Sequence, residues 1–180
     1  MNKWIISAVG MDQPGIVAAL TQAFFELDCN LEDTSMTQLE DHFAVLIILD
    51  GPANLDKAAL QEKLGPVSET FNLQLAVHPI VTHAEQANPT GIPWSMSVSG
   101  SDHLGIIYHV TQYLAGAKVN ITHLSSKRMT KPNGEPLFLM ALEVELPKTV
   151  ASDTFHQELQ ALAKRQQLEI HAEPLEVYTL

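Results

Sequence analysis

The chain has 180 residues, 46% of them apolar, enough for one ordinary domain or two small ones and too many for a disordered chain. Its formal charge of −11 speaks against a protein that grips DNA itself, because phosphate contacts need clustered Lys and Arg. Only "SSKRMTK", with Lys127, Arg128 and Lys131, is locally basic, and it reads as a solvated strand edge.

The opening "MNKWIISAVGM" has one Lys and a short apolar run without a small-residue cleavage pattern before Asp12 and Pro14, so it reads as a strand rather than a signal peptide. No apolar run approaches the roughly 20 residues of a membrane span. The single cysteine, Cys29, permits no intramolecular disulfide, fits a reducing compartment and reads as buried filler. A cytoplasmic location is expected.

After the strand "WIISAV" comes "GMDQPG", and then a helical face marked by Ile16, Val17, Leu20, Phe24 and Leu27. Asp12 stands where an N-cap is expected, and Pro14 in the first turn. "LEDTSMTQLEDHFAVLIILDG" divides at Glu40-Asp41 into a hairpin of two strands. A second helix carries Leu60, Leu64 and Val67, and "FNLQLAVHP" closes the unit as a strand.

The chain then repeats itself. At an offset of 90 residues, Trp4 falls on Trp94, Gly10 on Gly100, Asp12 on Asp102, Gly15 on Gly105 and Asn30 on Asn120, an ungapped register that marks an internal repeat. "WSMSVS" is the first strand of the second copy, and Ile106, Ile107, Val110, Leu114 and Ala117 mark its first helix. Asn133-Gly134 supplies the turn of a longer hairpin. Phe155, Leu159 and Leu162 mark the last helix, and "LEIHAEPLEVY" the last strand. The polar "THAEQANPTGIP" reads as a linker. The expected domains are 1–81 and 93–180, with 82–92 between them. Each has the order β-α-β-β-α-β, which gives an α+β, ferredoxin-like unit: an antiparallel four-stranded sheet with two helices on one face.

The two copies of "GMDQPGIVAALTQAFFELDCNLED" and its counterpart in this setting resemble the ACT domain, a small amino-acid-sensing module. Two ACT-like domains with little else resemble the glycine cleavage system transcriptional repressor family. The resemblance covers nearly the whole chain and is most specific over Trp4–Ser35 and Trp94–Ser125. It implies a regulator that senses a small amino acid, glycine first, and acts through a DNA-bound activator without binding nucleic acid or membrane itself, and it leaves room for a homo-oligomer. It implies no catalytic residue, cofactor or metal. By position, the family's ligand loop falls on Gly10, Met11, Asp12, Gln13, Pro14 and Gly15, joined by Asn30 and Asp33. In the second copy it falls on Gly100, Ser101, Asp102, His103, Leu104 and Gly105, joined by Asn120 and His123. Leu104 in place of a proline, and His123 in place of Asp33, set the two copies apart. A second implied role is regulation of an amino-acid or one-carbon enzyme, since similar modules precede the catalytic domains of formyltetrahydrofolate deformylase and certain phosphoserine phosphatases. The chain length leaves no room for either catalytic domain before Leu180.

The residues themselves restrict the chemistry. "GMDQPGIVA" lacks the Lys-Ser/Thr ending of a phosphate loop and the G-x-G-x-x-G spacing of a dinucleotide site. His103, His109 and His123 have no HExxH spacing, and Ser7, Ser35, Ser97 and Ser125 have no G-x-S-x-G elbow. Two readings of the loop stand. It is a turn in which Asp12 caps a helix, or it is a cradle whose helix N–H groups take an amino-acid carboxylate while Asp12 or Asn30 accepts from the ammonium. A helix-end contact supplies about 0.3 to 1 kcal/mol, about 2 when partly buried. Micromolar to millimolar affinity needs about 4 to 8 kcal/mol. The cradle reading therefore requires a second wall, from a neighbouring domain or subunit.

Overall fold

A computed structural model of the protein describes residues 2–80 and 91–175. The chain forms two compact units, Met1–Ala84 and Glu85–Leu180. In the first, β1 (Asn2–Met11), α1 (Ile16–Phe25), β2 (Asn30–Leu39), β3 (His42–Gly51), α2 (Lys57–Phe71) and β4 (Gln74–Pro79) follow in order. The second repeats the order with β5 (Gly91–Ser101), α3 (Ile106–Gly116), β6 (Asn120–Thr130), β7 (Pro136–Pro147), α4 (Ser152–Gln166) and β8 (Leu168–Pro174). The sheets are antiparallel, with strand orders β2-β3-β1-β4 and β6-β7-β5-β8. This is the doubled ferredoxin-like architecture. Gly91 and Ile92 lie in β5 rather than in a linker; the remainder of the expected linker falls outside the described residues.

Strand alternation builds each core. Trp4, Ile6 and Ala8 point to the helix side of β1, and Phe43, Val45, Ile47 and Leu49 do the same on β3. Ile16, Leu20 and Phe24 of α1 and Leu60 and Leu64 of α2 close over them. In the second unit Trp94 meets Phe155 edge to face, ring centres 5.6 Å apart, among Val110, Leu114, Leu142 and Leu159. Val17 and Ile107, expected on the buried helical faces, remain 47% and 39% exposed. They lie one position past the buried stripe and point away from the sheet. Of the pair Asn133-Gly134, Gly134 alone takes a left-handed φ, +87°.

The helix boundaries explain the punctuation. Asp56 caps α2 by accepting from the Ala59 N–H at 2.8 Å. Pro66 lies inside this helix, where the missing N–H removes one intrahelical bond. Gly65 before it has no Cβ to press on the proline ring. Asn72 and Gln167 end α2 and α4 in left-handed conformations.

A groove of about 540 Å³ separates α1 from α2, lined in part by Ala19, Ala23 and Ala59 and bridged by the Lys63–Glu26 ion pair. Hydrogen bonding from Lys63, then from Gln22, holds the Glu26 carboxyl below its ordinary range. A depressed carboxyl contributes stability above its unfolded pKa and loses it as pH falls through the folded value. The thermal midpoint of the parent should therefore exceed that of Glu26→Gln at neutral pH, and the gap should close on acidification. A constant gap in a melt series would assign the difference to packing.

Candidate functional site

The loops between β1 and α1 and between β5 and α3 were the expected ligand sites, and their internal bonding is now specific. Gly15 and Gly105, not the aspartates, occupy the N-cap positions, at φ +100° and +95°, and neither helix has a side-chain cap. Neither aspartate makes a side-chain hydrogen bond to the start of the helix that follows it. Pro14 likewise lies in the turn before Ile16, not inside the helix.

Instead, Asp12 Oδ2 accepts from Gln38 Nε2 at 2.9 Å, and its backbone N–H donates to Asp41 at 2.8 Å. In the second copy Asp102 Oδ2 accepts from Arg128 Nε at 2.7 Å and also pairs with Nη2. Each aspartate thus ties its loop to the edge strand, β2 or β6. Sequence reasoning missed Gln38 and Arg128, although the signal was present. The same 90-residue offset that matches Asp12 to Asp102 matches these two donors to each other.

Gly10 and Gly100 serve the fold. A Cβ on Gly10 would stand 2.7 Å from Leu73 Cδ2 and 3.1 Å from the Asn72 carbonyl oxygen; on Gly100 it would meet Leu168 Cδ2 at 2.7 Å. Their open space is filled from the chain that leads into β4 or β8. Gln13 donates to the Phe71 carbonyl at 3.2 Å, and His103 Nδ1 lies 3.1 Å from the Ser101 carbonyl. Met11, Pro14 and Ser101 are exposed, and Leu104 is fully so.

Asn30 and Asp33 do not join the loop. Met11 pairs with His42 at one end of β3, whereas Asn30 pairs with Asp50 at the other. Eight residues of strand separate the two ends, about 27 Å at about 3.4 Å per residue. The same separation holds in the second copy, where Asn120 faces Glu145 and His123 faces Glu143 while Ser101 faces Leu137. The expected set therefore splits between opposite ends of each sheet, because α1 or α3 carries the chain back along the sheet before β2 or β6 begins.

Asn30 instead borders a cleft of about 570 Å³ beside α1, with Ala18, Thr21, Phe25, Cys29 and Leu31. Burial, then the nearby Asp28 and Asp50 charges, pushes the Cys29 thiol up from its ordinary pKa. Its reaction with a disulfide reagent at pH 8 should be slower in the native protein than in the denatured chain. Equal rates would contradict that shielding.

Among the described residues, no three His, Cys, Asp or Glu side chains gather as a metal ion requires. No described helix is long and apolar enough to cross a membrane. Two of the three cations in the basic stretch have carboxylate partners, Arg128 on Asp102 and Lys131 on Glu135 at 3.6 Å.

The ACT domain family model matches residues 3–78. A UPF0237 protein of Methanopyrus kandleri is 34% identical over 86 residues, which is 47% of this chain and 91% of that protein. The chain belongs to the ACT-domain family. It is also similar to the glycine cleavage system transcriptional repressor of Escherichia coli, 25% identical over 129 residues, 72% of this chain and 66% of that protein. The crystal structure of an unknown protein from Galdieria sulphuraria shares the whole fold, with a TM-score of 0.82, 23% identity and coverage of 97% of this chain and 99% of that one.

Proposed function

We propose that the chain is a regulator of transcription that responds to a small amino acid and acts through a protein partner rather than by gripping DNA. The observation that carries this reading is the similarity to the E. coli repressor. It runs over 129 residues, more than either compact unit contains, and so draws on both. Two features support action through a partner. The net charge is −11, and the basic stretch is partly neutralised by its own carboxylates, which leaves little to hold phosphates.

The N-terminal loop is the better ligand site of the two. The first turn of α1 has no side-chain cap, so its N–H groups are open to a carboxylate. Asp12 gives one oxygen to Gln38, a neutral donor, and leaves its second oxygen for an ammonium. Asp102 is instead covered by the Arg128 cation, which competes with an ammonium. A small amino acid such as glycine fits the N-terminal chemistry. Asn30 and Asp33 take no part in their own copy's loop, so the rest of the affinity comes from a surface that closes over it.

The test is a gel shift with a DNA-bound activator of glycine cleavage genes. The expected result is that the purified protein leaves duplex DNA unshifted alone and alters the activator's complex in a glycine-dependent way. Tight binding to duplex by the protein alone would overturn the reading.

A further inference from the structure

The two sheets share one fold and differ on the face that the helices leave open. On the first, three β1 positions point away from the core, Ile5, Ser7 and Val9, and they lie beside Ile48, Leu46 and Ala44 of β3. Val9, Met11 and Leu46 are 45%, 49% and 46% exposed. At the matching places of the second sheet stand Ser95, Ser97 and Ser99 beside Glu143, Ala141 and Leu139, with Glu173, His171 and Glu169 on the other flank. One chain thus contains its own control. The C-terminal sheet shows what this fold puts on a face left to water, serines and carboxylates in alternation with a buried core. The N-terminal sheet has Ile5, Val9, Ile48 and Leu46 where the second has Ser95, Ser99, Glu143 and Ala141. It keeps a serine at Ser7 and has Ala44 for Leu139. The result is an apolar patch of the kind that marks an interface.

We infer that this face is the contact between two copies of the chain, which pack their N-terminal sheets face to face across a two-fold axis. Two observations select a second copy as the occupant. The first is charge. Across the rows of Ile5, Ser7 and Val9 the one carboxylate is Asp33, on the edge strand, whereas the matching rows of the C-terminal sheet carry Glu143, Glu169 and Glu173. A molecule with a net charge of −11 meets its own copy with least repulsion on a face without carboxylates at its centre. The second is size. Three strands pair over about nine residues and β4 over six. At about 4.8 Å between strands and about 3.4 Å per residue they make a face roughly 19 Å wide and roughly 20 to 30 Å long. With the relief of its side chains, that is on the scale of the about 800 Å² each partner contributes to a standard interface. Sheets so packed lie about 10 Å apart and cross at about 30°, and a two-fold contact needs only that the patch suit itself.

Sedimentation equilibrium tests this directly. The parent should have twice the chain mass at tens of micromolar. Leu46→Asp should be monomeric with an unchanged far-UV CD spectrum, because the side chain points away from the core. Ala141→Asp, the matching change on the C-terminal sheet, should leave the mass doubled. A monomeric parent, a Leu46→Asp protein of unchanged mass, or dissociation by Ala141→Asp would each overturn the inference. If Leu46→Asp unfolds, Ser7→Cys in a Cys29→Ser background decides. A short bismaleimide able to span the about 10 Å between packed sheets should trap a covalent dimer through the centre of the face, and its failure to do so would contradict the contact.

Discussion

Phe155→Ala should lower the thermal midpoint of the C-terminal unit more than any surface change described above. Phe155 is fully buried between Trp94 and Tyr113, with ring centres 5.6 and 6.1 Å away. It ties α4 to β5 and to α3 in one contact. Deleting its ring removes buried apolar area and leaves a cavity that close-packed neighbours fill only in part, a loss of about 3 to 5 kcal/mol. In a unit of this size about 1 kcal/mol moves the midpoint by about 4 to 8 °C, so a fall of roughly 12 to 40 °C is expected. Calorimetry should show the loss in one transition, because Phe155 packs only within its own core. A fall below about 5 °C would mean that α4 repacks freely.

Gly10→Ala is the second large effect, and it separates the two readings of the loop. A methyl there meets Leu73 Cδ2 at 2.7 Å and the Asn72 carbonyl oxygen at 3.1 Å. The leucine end can shift; the carbonyl, fixed by the left-handed Asn72 that ends α2, cannot shift cheaply. Overpacking of this kind costs about 1 to 3 kcal/mol, and urea unfolding should register it. Gly116→Ala is the control. It sits at the end of α3 with no atom within 4 Å of the added Cβ and no left-handed φ, and it should stabilise by about 0.4 to 1 kcal/mol. If Gly10 served only a ligand, the free protein would tolerate the alanine as well as it tolerates Gly116→Ala.

Most of the fold is legible in the residues because its signals are local. Alternation in "WIISAV" and "WSMSVS", helical spacing through Leu20 and Phe24, and the 90-residue register each report on a few neighbouring side chains. The site was less legible because it depends on direction. Nothing in the spacing of Asp12, Asn30 and Asp33 reveals that α1 carries the chain to the far end of the sheet before Asn30. The cap differs from the expected Asp12 for a related reason. Asp12 lies near a helix start, yet Gly15 in its left-handed conformation sets the boundary three residues later. The partners of the loop aspartates, Gln38 and Arg128, were marked only by their equal place in the two copies.

The proposed amino-acid site is the N-terminal loop, and a titration of the purified protein with amino acids tests binding there most directly. Glycine or another small amino acid at about 10 mM should raise the thermal midpoint in proportion to RT ln(1 + [L]/Kd). Asp12→Asn should abolish the shift, while Asp102→Asn should retain it. No shift from any small amino acid, or equal loss in the two variants, would contradict the account.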